Sequence, residues 1–300
     1  MEASAVDEAD AIEVTGLAKR YGAVVALDGI NLAVRSGEVF GLLGHNGAGK
    51  TTTIRILTGR TRPTAGTARV HGLDAVADRE AVRRLVNLVF EDQNLYERLT
   101  GRENLRVFCR LYGVPLDRAD ALLESVDLAE AGRRKVKTYS TGMRQRLLIA
   151  RSLVNQPRVL FLDEPTRGLD PVSTRTLHDL LRGLAADGTT IFLTTHDMLE
   201  ADVLCDRVAF LSEGRVVALD VPRELKLRFG ERRARVLLSS RVEHVIALDD
   251  ADDAARLEAW MGSGQVLAVH SLEGTLADAF VAFAGRPLDH PGSGSDGDGA

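Results

Sequence analysis

Val39-Phe40-Gly41-Leu42-Leu43 runs directly into Gly44-His45-Asn46-Gly47-Ala48-Gly49-Lys50-Thr51-Thr52, an apolar run that breaks into a glycine-rich turn. The apolar run reads as a buried strand, and a helix is predicted over residues 50–57. Residues 44–51 fit the pattern GxxxxGK[ST] at every fixed position. Each residue type has a physical purpose there. Glycines let consecutive N–H groups turn inward around phosphate oxygens. The helix beginning near Lys50 adds the partial positive charge of its N-terminus. The Lys50 ammonium suits β- and γ-phosphates, and the Thr51 hydroxyl suits a Mg²⁺ ion. Gly44, His45, Asn46, Gly47, Ala48, Gly49, Lys50, Thr51 and Thr52 are therefore the expected phosphate-binding residues.

A second stretch supplies the complementary chemistry. Val159-Leu160-Phe161-Leu162 is a four-residue apolar run ending in Asp163-Glu164. It places Asp163 at the end of a buried strand, where a carboxylate can hold Mg²⁺ through water. Glu164 follows; if strand alternation continues it points to the opposite side, as a candidate base or positioner for an attacking water. Thr190-Ile191-Phe192-Leu193 reads as a third buried strand. Short apolar runs alternate with helical patterns over residues 12–219, the signature of an α/β fold.

The chain has 300 residues, 45% of them hydrophobic and 27% charged, enough for one large domain and a smaller one. A net charge of -5 argues against a protein built to bind nucleic acid, and no nucleic-acid partner is expected. Cys109 and Cys205 are too distant in sequence for a CxxC pair, so no disulfide framework is expected. The acidic N-terminus shows no secretory signal, and no run of eighteen uncharged apolar residues occurs. Residues 1–10 are expected to be a disordered lead-in, 11–222 a nucleotide-binding domain, 223–286 a small α+β extension and 287–300 a disordered tail. Within the extension, apolar runs near residues 236–238, 245–248 and 266–269 read as strands, and residues 251–261 and 275–284 as helices.

Further motifs follow in a recognisable order. Tyr21 precedes the glycine-rich turn; Tyr139-Ser140-Thr141-Gly142-Met143-Arg144-Gln145-Arg146 precedes Asp163; Gly168-Leu169-Asp170 and Thr194-Thr195-His196-Asp197 come after it. Together these resemble the nucleotide-binding domain of ABC transporters. The resemblance implies a P-loop NTPase of the ABC type, with an antiparallel β subdomain and a helical subdomain. It also implies ATP and Mg²⁺ as ligands, Tyr21 stacking on adenine, and a head-to-tail homodimer with ATP at the interface. In that dimer Ser140 and Gly142 of one subunit meet the γ-phosphate held by the other, because a segment preceding a helix presents free N–H groups to an anion. Glu164 and His196 are then the catalytic carboxylate and the γ-phosphate sensor. Thr141 and Met143 depart from the family's usual glycine and glutamine. The usual Q-loop glutamine position holds Glu91, read as its functional and Mg²⁺-binding equivalent, with Gln93 as the alternative.

Residues 90–105, the segment YSTGMRQRL and the end of the chain resemble prokaryotic drug- and polysaccharide-exporter ATPases. That implies a separate transmembrane permease and a location at the cytoplasmic side of the cell membrane. An importer cassette and a soluble ABC ATPase are the alternatives. Replacing Glu91 by Gln is expected to leave substantial ATPase activity in a steady-state phosphate-release assay. Near-total loss would assign the carboxylate a role that an amide cannot fill.

Overall fold

The computed structural model describes residues 10–90, 95–229, 233–272 and 274–285. Glu91 and Gln93 lie outside these residues, as do the expected lead-in and tail, apart from Asp10, which opens the first strand. In chain order the first elements are β1 (Asp10–Tyr21), β2 (Val24–Arg35), β3 (Val39–Leu43), α1 (Lys50–Leu57), β4 (Ala65–Val70), β5 (Leu73–Asp74), α2 (Arg79–Leu85) and β6 (Val86–Val89). There follow α3 (Gly101–Tyr112), α4 (Arg118–Ser125), α5 (Thr141–Ser152), β7 (Val159–Asp163), α6 (Pro171–Ala186), β8 (Thr190–Thr195), α7 (Met198–Leu204), β9 (Arg207–Ser212) and β10 (Arg215–Asp220). The last are α8 (Pro222–Phe229), β11 (Arg233–Leu238), β12 (Glu243–Ala247), α9 (Ala251–Gly262), β13 (Val266–Leu272) and α10 (Leu276–Ala284). The chain divides into two compact units between Leu219 and Asp220.

The first unit is built on a six-stranded sheet in the order β10-β9-β3-β8-β7-β6. Its central pairs, β9-β3, β3-β8, β8-β7 and β7-β6, are parallel. Strands buried on both faces need apolar residues at successive positions, which is why β3, β7 and β8 read as continuous runs rather than as alternation. Every residue of β3 and β8 is buried. Phe192 lies between Phe40 and Phe161, with ring centroids 5.5 and 5.4 Å away. A second, antiparallel sheet, β2-β1-β4-β5, carries Tyr21 at the end of β1. The helices α3, α4 and α5 pack together as a helical group. Helix α3 starts with a capping box between Thr100 and Glu103.

The register of the parallel strands positions the site. Leu43 stands opposite Thr195, and Asp163 opposite Thr194. The carboxyl ends of β3, β8 and β7 therefore finish side by side, the usual place for a ligand in an open α/β sheet.

The second unit is a three-stranded antiparallel sheet, β12-β11-β13. One face forms a small core of Ala234, Val236, Leu238 and Ile246, against which Leu257 and Trp260 of α9 pack. Among the described residues no helix is long and apolar enough to cross a membrane.

Phe192 joins two aromatic contacts at the centre of the larger sheet with no exposed surface. Phe192→Ala is expected to cost about 3–5 kcal/mol, read as a fall in the urea midpoint of unfolding. A loss under about 1 kcal/mol would mean that the core collapses around the cavity.

Candidate functional site

The loop between β3 and α1 is constrained by its neighbours as well as by its own conformation. A side chain at Gly44 would meet the Leu211 carbonyl oxygen at 2.3 Å, and one at Gly49 would meet the Ala26 oxygen at 2.5 Å. Gly49 also has φ +114°, and Gly47 has φ +83° in open space. Steric contact therefore demands glycine at 44 and 49, and backbone conformation alone favours it at 47. The loop is tied down by Ala48 N–H to the His45 carbonyl (3.1 Å) and by Gly214 N–H to the Ala48 carbonyl (3.1 Å). Asn46 and Gly47 remain exposed, His45 and Thr52 half-buried, and the His45 imidazole Nδ1 lies 2.8 Å from the Asn46 carbonyl.

Lys50 is the first residue of α1, with a side chain only 7% exposed. Its ammonium curls back to donate to the Gly44 carbonyl at 2.6 Å and, at 3.4 Å, to that of His45. It also lies 3.6 Å from Glu164 Oε1. Burial lowers its pKa, an effect opposed by the carboxylates of Glu164 and Asp163. The cation is thus held by nearby protein oxygens. Beside it, the Thr51 hydroxyl donates to Asp163 Oδ2 at 3.2 Å. The other Asp163 oxygen accepts from the Thr194 hydroxyl, the residue opposite it in β8.

Glu164 departs from the alternation expected of it. Strand β7 ends at Asp163, and Glu164 takes φ +52°, a left-handed conformation that few non-glycine residues adopt. Its N–H donates to the Thr194 carbonyl at 2.9 Å, so the sheet holds the turn. The turn aims the carboxylate back across the strand ends. One oxygen faces Lys50, and the other lies 2.8 Å from His196 Nδ1. A carboxylate can only accept, so Nδ1 carries the hydrogen, and among the described residues no hydrogen bond reaches Nε2. The Glu164 side chain is 12% exposed, and that of His196 33%.

The remaining candidates stand apart from this cluster. Tyr21 is 46% exposed, with the Lys19 ammonium 4.8 Å from its ring centre. Ser140 is the exposed N-cap of α5, accepting from Met143 N–H at 3.2 Å. Gly142 is buried against α6: a side chain there would come within 2.4 Å of Ser173 Oγ. Among the described residues no hydrogen bond joins Ser140 or Gly142 to residues 44–52 or to Glu164. Asp170 caps α6 by accepting from Val172 N–H and Ser173 N–H (3.0 Å each) and from the Ser173 hydroxyl at 2.6 Å. The Ser173 hydroxyl is the largest cause holding its carboxyl below the usual range. Thr194 and Ser173 are site neighbours that sequence reasoning did not single out. Their only sequence signal is position, opposite Asp163 in one case and one turn into α6 in the other.

The ABC transporter family profile matches residues 27–167. A fluoroquinolones export ATP-binding protein of Mycobacterium tuberculosis is 44% identical over 292 residues, covering 95% of this chain and 97% of the relative. The chain belongs to the ABC transporter family of ATP-binding proteins. A daunorubicin resistance ATP-binding protein of Streptomyces coeruleorubidus is 48% identical over 232 residues, 76% of this chain and 73% of that one. A dimeric ATP-binding cassette in a post-hydrolysis state, bound to ADP and Pi, superposes with a TM-score of 0.62 at 28% identity, over 70% of this chain and 98% of that one. ATP binding and hydrolysis are the activity of the family to which this ABC protein belongs, and its cluster of Lys50, Asp163, Glu164 and His196 gathers at the carboxyl ends of β3, β7 and β8.

In this ABC cassette Thr194 is fully buried, and its hydroxyl is spent on Asp163. Thr194→Val leaves that carboxylate one donor short and is expected to cost about 1–3 kcal/mol of stability. Chemical denaturation in the absence of nucleotide measures it, and an unchanged midpoint would show that the contact carries no net energy.

Proposed function

We propose that this chain is the ATP-hydrolysing subunit of an exporter whose membrane-spanning permease is a separate polypeptide, and that it acts as a head-to-tail homodimer. One observation carries the catalytic part: the Glu164 carboxylate is strung between the Lys50 ammonium and His196 Nδ1–H at the ends of adjacent parallel strands. Export is supported by the names of the relatives, which are export or drug-resistance ATP-binding proteins.

Nucleotide enters with adenine against Tyr21 and phosphates over the amides of residues 44–52. Lys50 exchanges the Gly44 carbonyl for β- and γ-phosphate oxygens, trading neutral acceptors for charged ones. Thr51 and Asp163 fit a Mg²⁺ ion: both offer oxygen donors, as a hard cation prefers, and they stand within 3.2 Å of each other. Bound there, the metal supplies neutralising charge to the phosphoryl oxygens. Glu91 is a further proposed ligand and Q-loop group.

Glu164 accepts a hydrogen bond from the attacking water and takes its proton as the oxygen bonds to the γ-phosphorus. ADP leaves as an oxyanion in line with that attack. His196 holds Glu164 through Nδ1–H; a γ-phosphate oxygen, itself an acceptor, meets the ring only where Nε2 also carries a hydrogen. The exposed Ser140 and the α5 amides beside Gly142 are not used by this chain's own loop, which suits them to the nucleotide of a second copy. Loss of the γ-phosphate then weakens the dimer and converts hydrolysis into movement of the permease. The assembly sits at the cytoplasmic side of the cell membrane through that permease.

Glu164→Gln tests the reading. It is expected to bind ATP as the wild type does while turnover falls by about 10²–10⁴-fold. Tagged Glu164→Gln, incubated with ATP and Mg²⁺ in detergent-solubilised native membranes, is expected to recover one multi-spanning protein in comparable amount. Wild-type turnover would remove Glu164 from the chemistry. Recovery of ribosomes or soluble proteins alone would leave the ATPase standing and overturn export.

A further inference from the structure

Two helices leave the loops that end in the site. Helix α6 starts beyond its cap Asp170, and α7 starts beyond its cap Asp197, the residue after His196. Inside the protein, His178 of α6 and Glu200 of α7 face each other, Nε2 to Oε1 at 3.7 Å, with side chains 9% and 2% exposed. Neither oxygen of Glu200 nor Nε2 of His178 has a hydrogen-bond partner among the described residues. A carboxylate buried without donors is costly, and replacing such a pair by apolar side chains is often neutral or stabilising. Holding two helices side by side does not need it.

The surroundings show what the pair joins. One turn further along α6, the Arg182 guanidinium donates to the Val203 carbonyl of α7, so the helices are tied at two successive levels. At the start of α6, Ser173 fills the space that a side chain at Gly142 would occupy. At the start of α7, His196 hydrogen-bonds Glu164. A continuous chain of contacts therefore runs from Gly142 through Ser173, α6, the buried pair, α7 and His196 to Glu164.

We infer that His178 and Glu200 are positioning residues that fix the register of α7 against α6, and so set His196 against Glu164 according to what α6 meets at Gly142. Apolar side chains would hold the helices together but let them slide. A buried polar pair that finds its counterpart in only one alignment specifies that alignment. The inference rests on the ATPase reading given above, and it assigns neither residue any contact with nucleotide.

The test is the full-length double variant His178→Leu/Glu200→Leu, compared with wild type for urea unfolding, KM for ATP and kcat. The expected result is a chain at least as stable as wild type, with KM within about twofold and kcat at least about tenfold lower. A folded double variant with wild-type kcat overturns the inference. So does a rise in KM in step with the loss of kcat, which marks general damage to the site. Should the double variant fail to fold, Glu200→Gln keeps the shape and replaces the carboxyl by an amide. The same kcat loss at constant KM is expected from it, and full activity overturns the proposal. A wild-type chain that binds ATP but hydrolyses none would remove the ATPase reading itself, and this shows before any variant is compared.

Discussion

Parallel pairing of β3, β8 and β7 places three chain segments that are far apart in sequence at one sheet edge. Hydrogen bonds between the strands fix the register, and the register fixes which residues emerge together. Gly44 leaves the end of β3, Glu164 the end of β7 and His196 the end of β8. No long loop is needed to bring these three segments together. Local turns add the remaining direction: the left-handed residue at 164 swings its carboxylate across the neighbouring strand ends. The apolar packing behind the edge, with Phe192 between Phe40 and Phe161, keeps the strands from shifting.

The charges at that edge form a closed set. Lys50 is satisfied by carbonyl oxygens and by Glu164, Glu164 also by His196, and Asp163 by two hydroxyls. Lys50, Thr51, Asp163 and Glu164 each have a partner that can be exchanged for another. A polyanion accompanied by a divalent cation offers such an exchange, since it brings oxygens for Lys50 and a positive charge for Asp163 and Thr51.

Much of this was legible in the sequence because the signals were local and physically forced. Buried parallel strands show as unbroken apolar runs, and α1 spans Lys50–Leu57, the residues that the glycine-rich turn predicts for it. Strands β11, β12 and β13 and helices α9 and α10 of the second unit also fall on the apolar and helical patterns read there, whereas α8 was not read as a helix. The positive φ of Glu164 was not legible, because that turn is imposed by the Thr194 carbonyl on a neighbouring strand rather than by its own sequence. The same holds for Thr194 beside Asp163 and for Ser173 beside Gly142. Both depend on which segments the sheet and helices bring together, which no short window reveals. The buried pair of His178 and Glu200 was silent for the same reason, each residue looking like an ordinary polar position on an amphipathic helix.

The contact between Gly142 and Ser173 bears on how this family can vary. Position 141 is exposed and position 143 only half-buried, and these are the two places where the segment departs from the family's usual residues. Position 142 is closed by a neighbour on another helix. Drift is therefore cheap at 141 and 143, whereas 142 and 173 behave as one unit: more volume at either is tolerable only if the other yields it. Homologues that enlarge residue 173 should show the helix displaced, and those that shrink it to alanine gain slack at the start of α5.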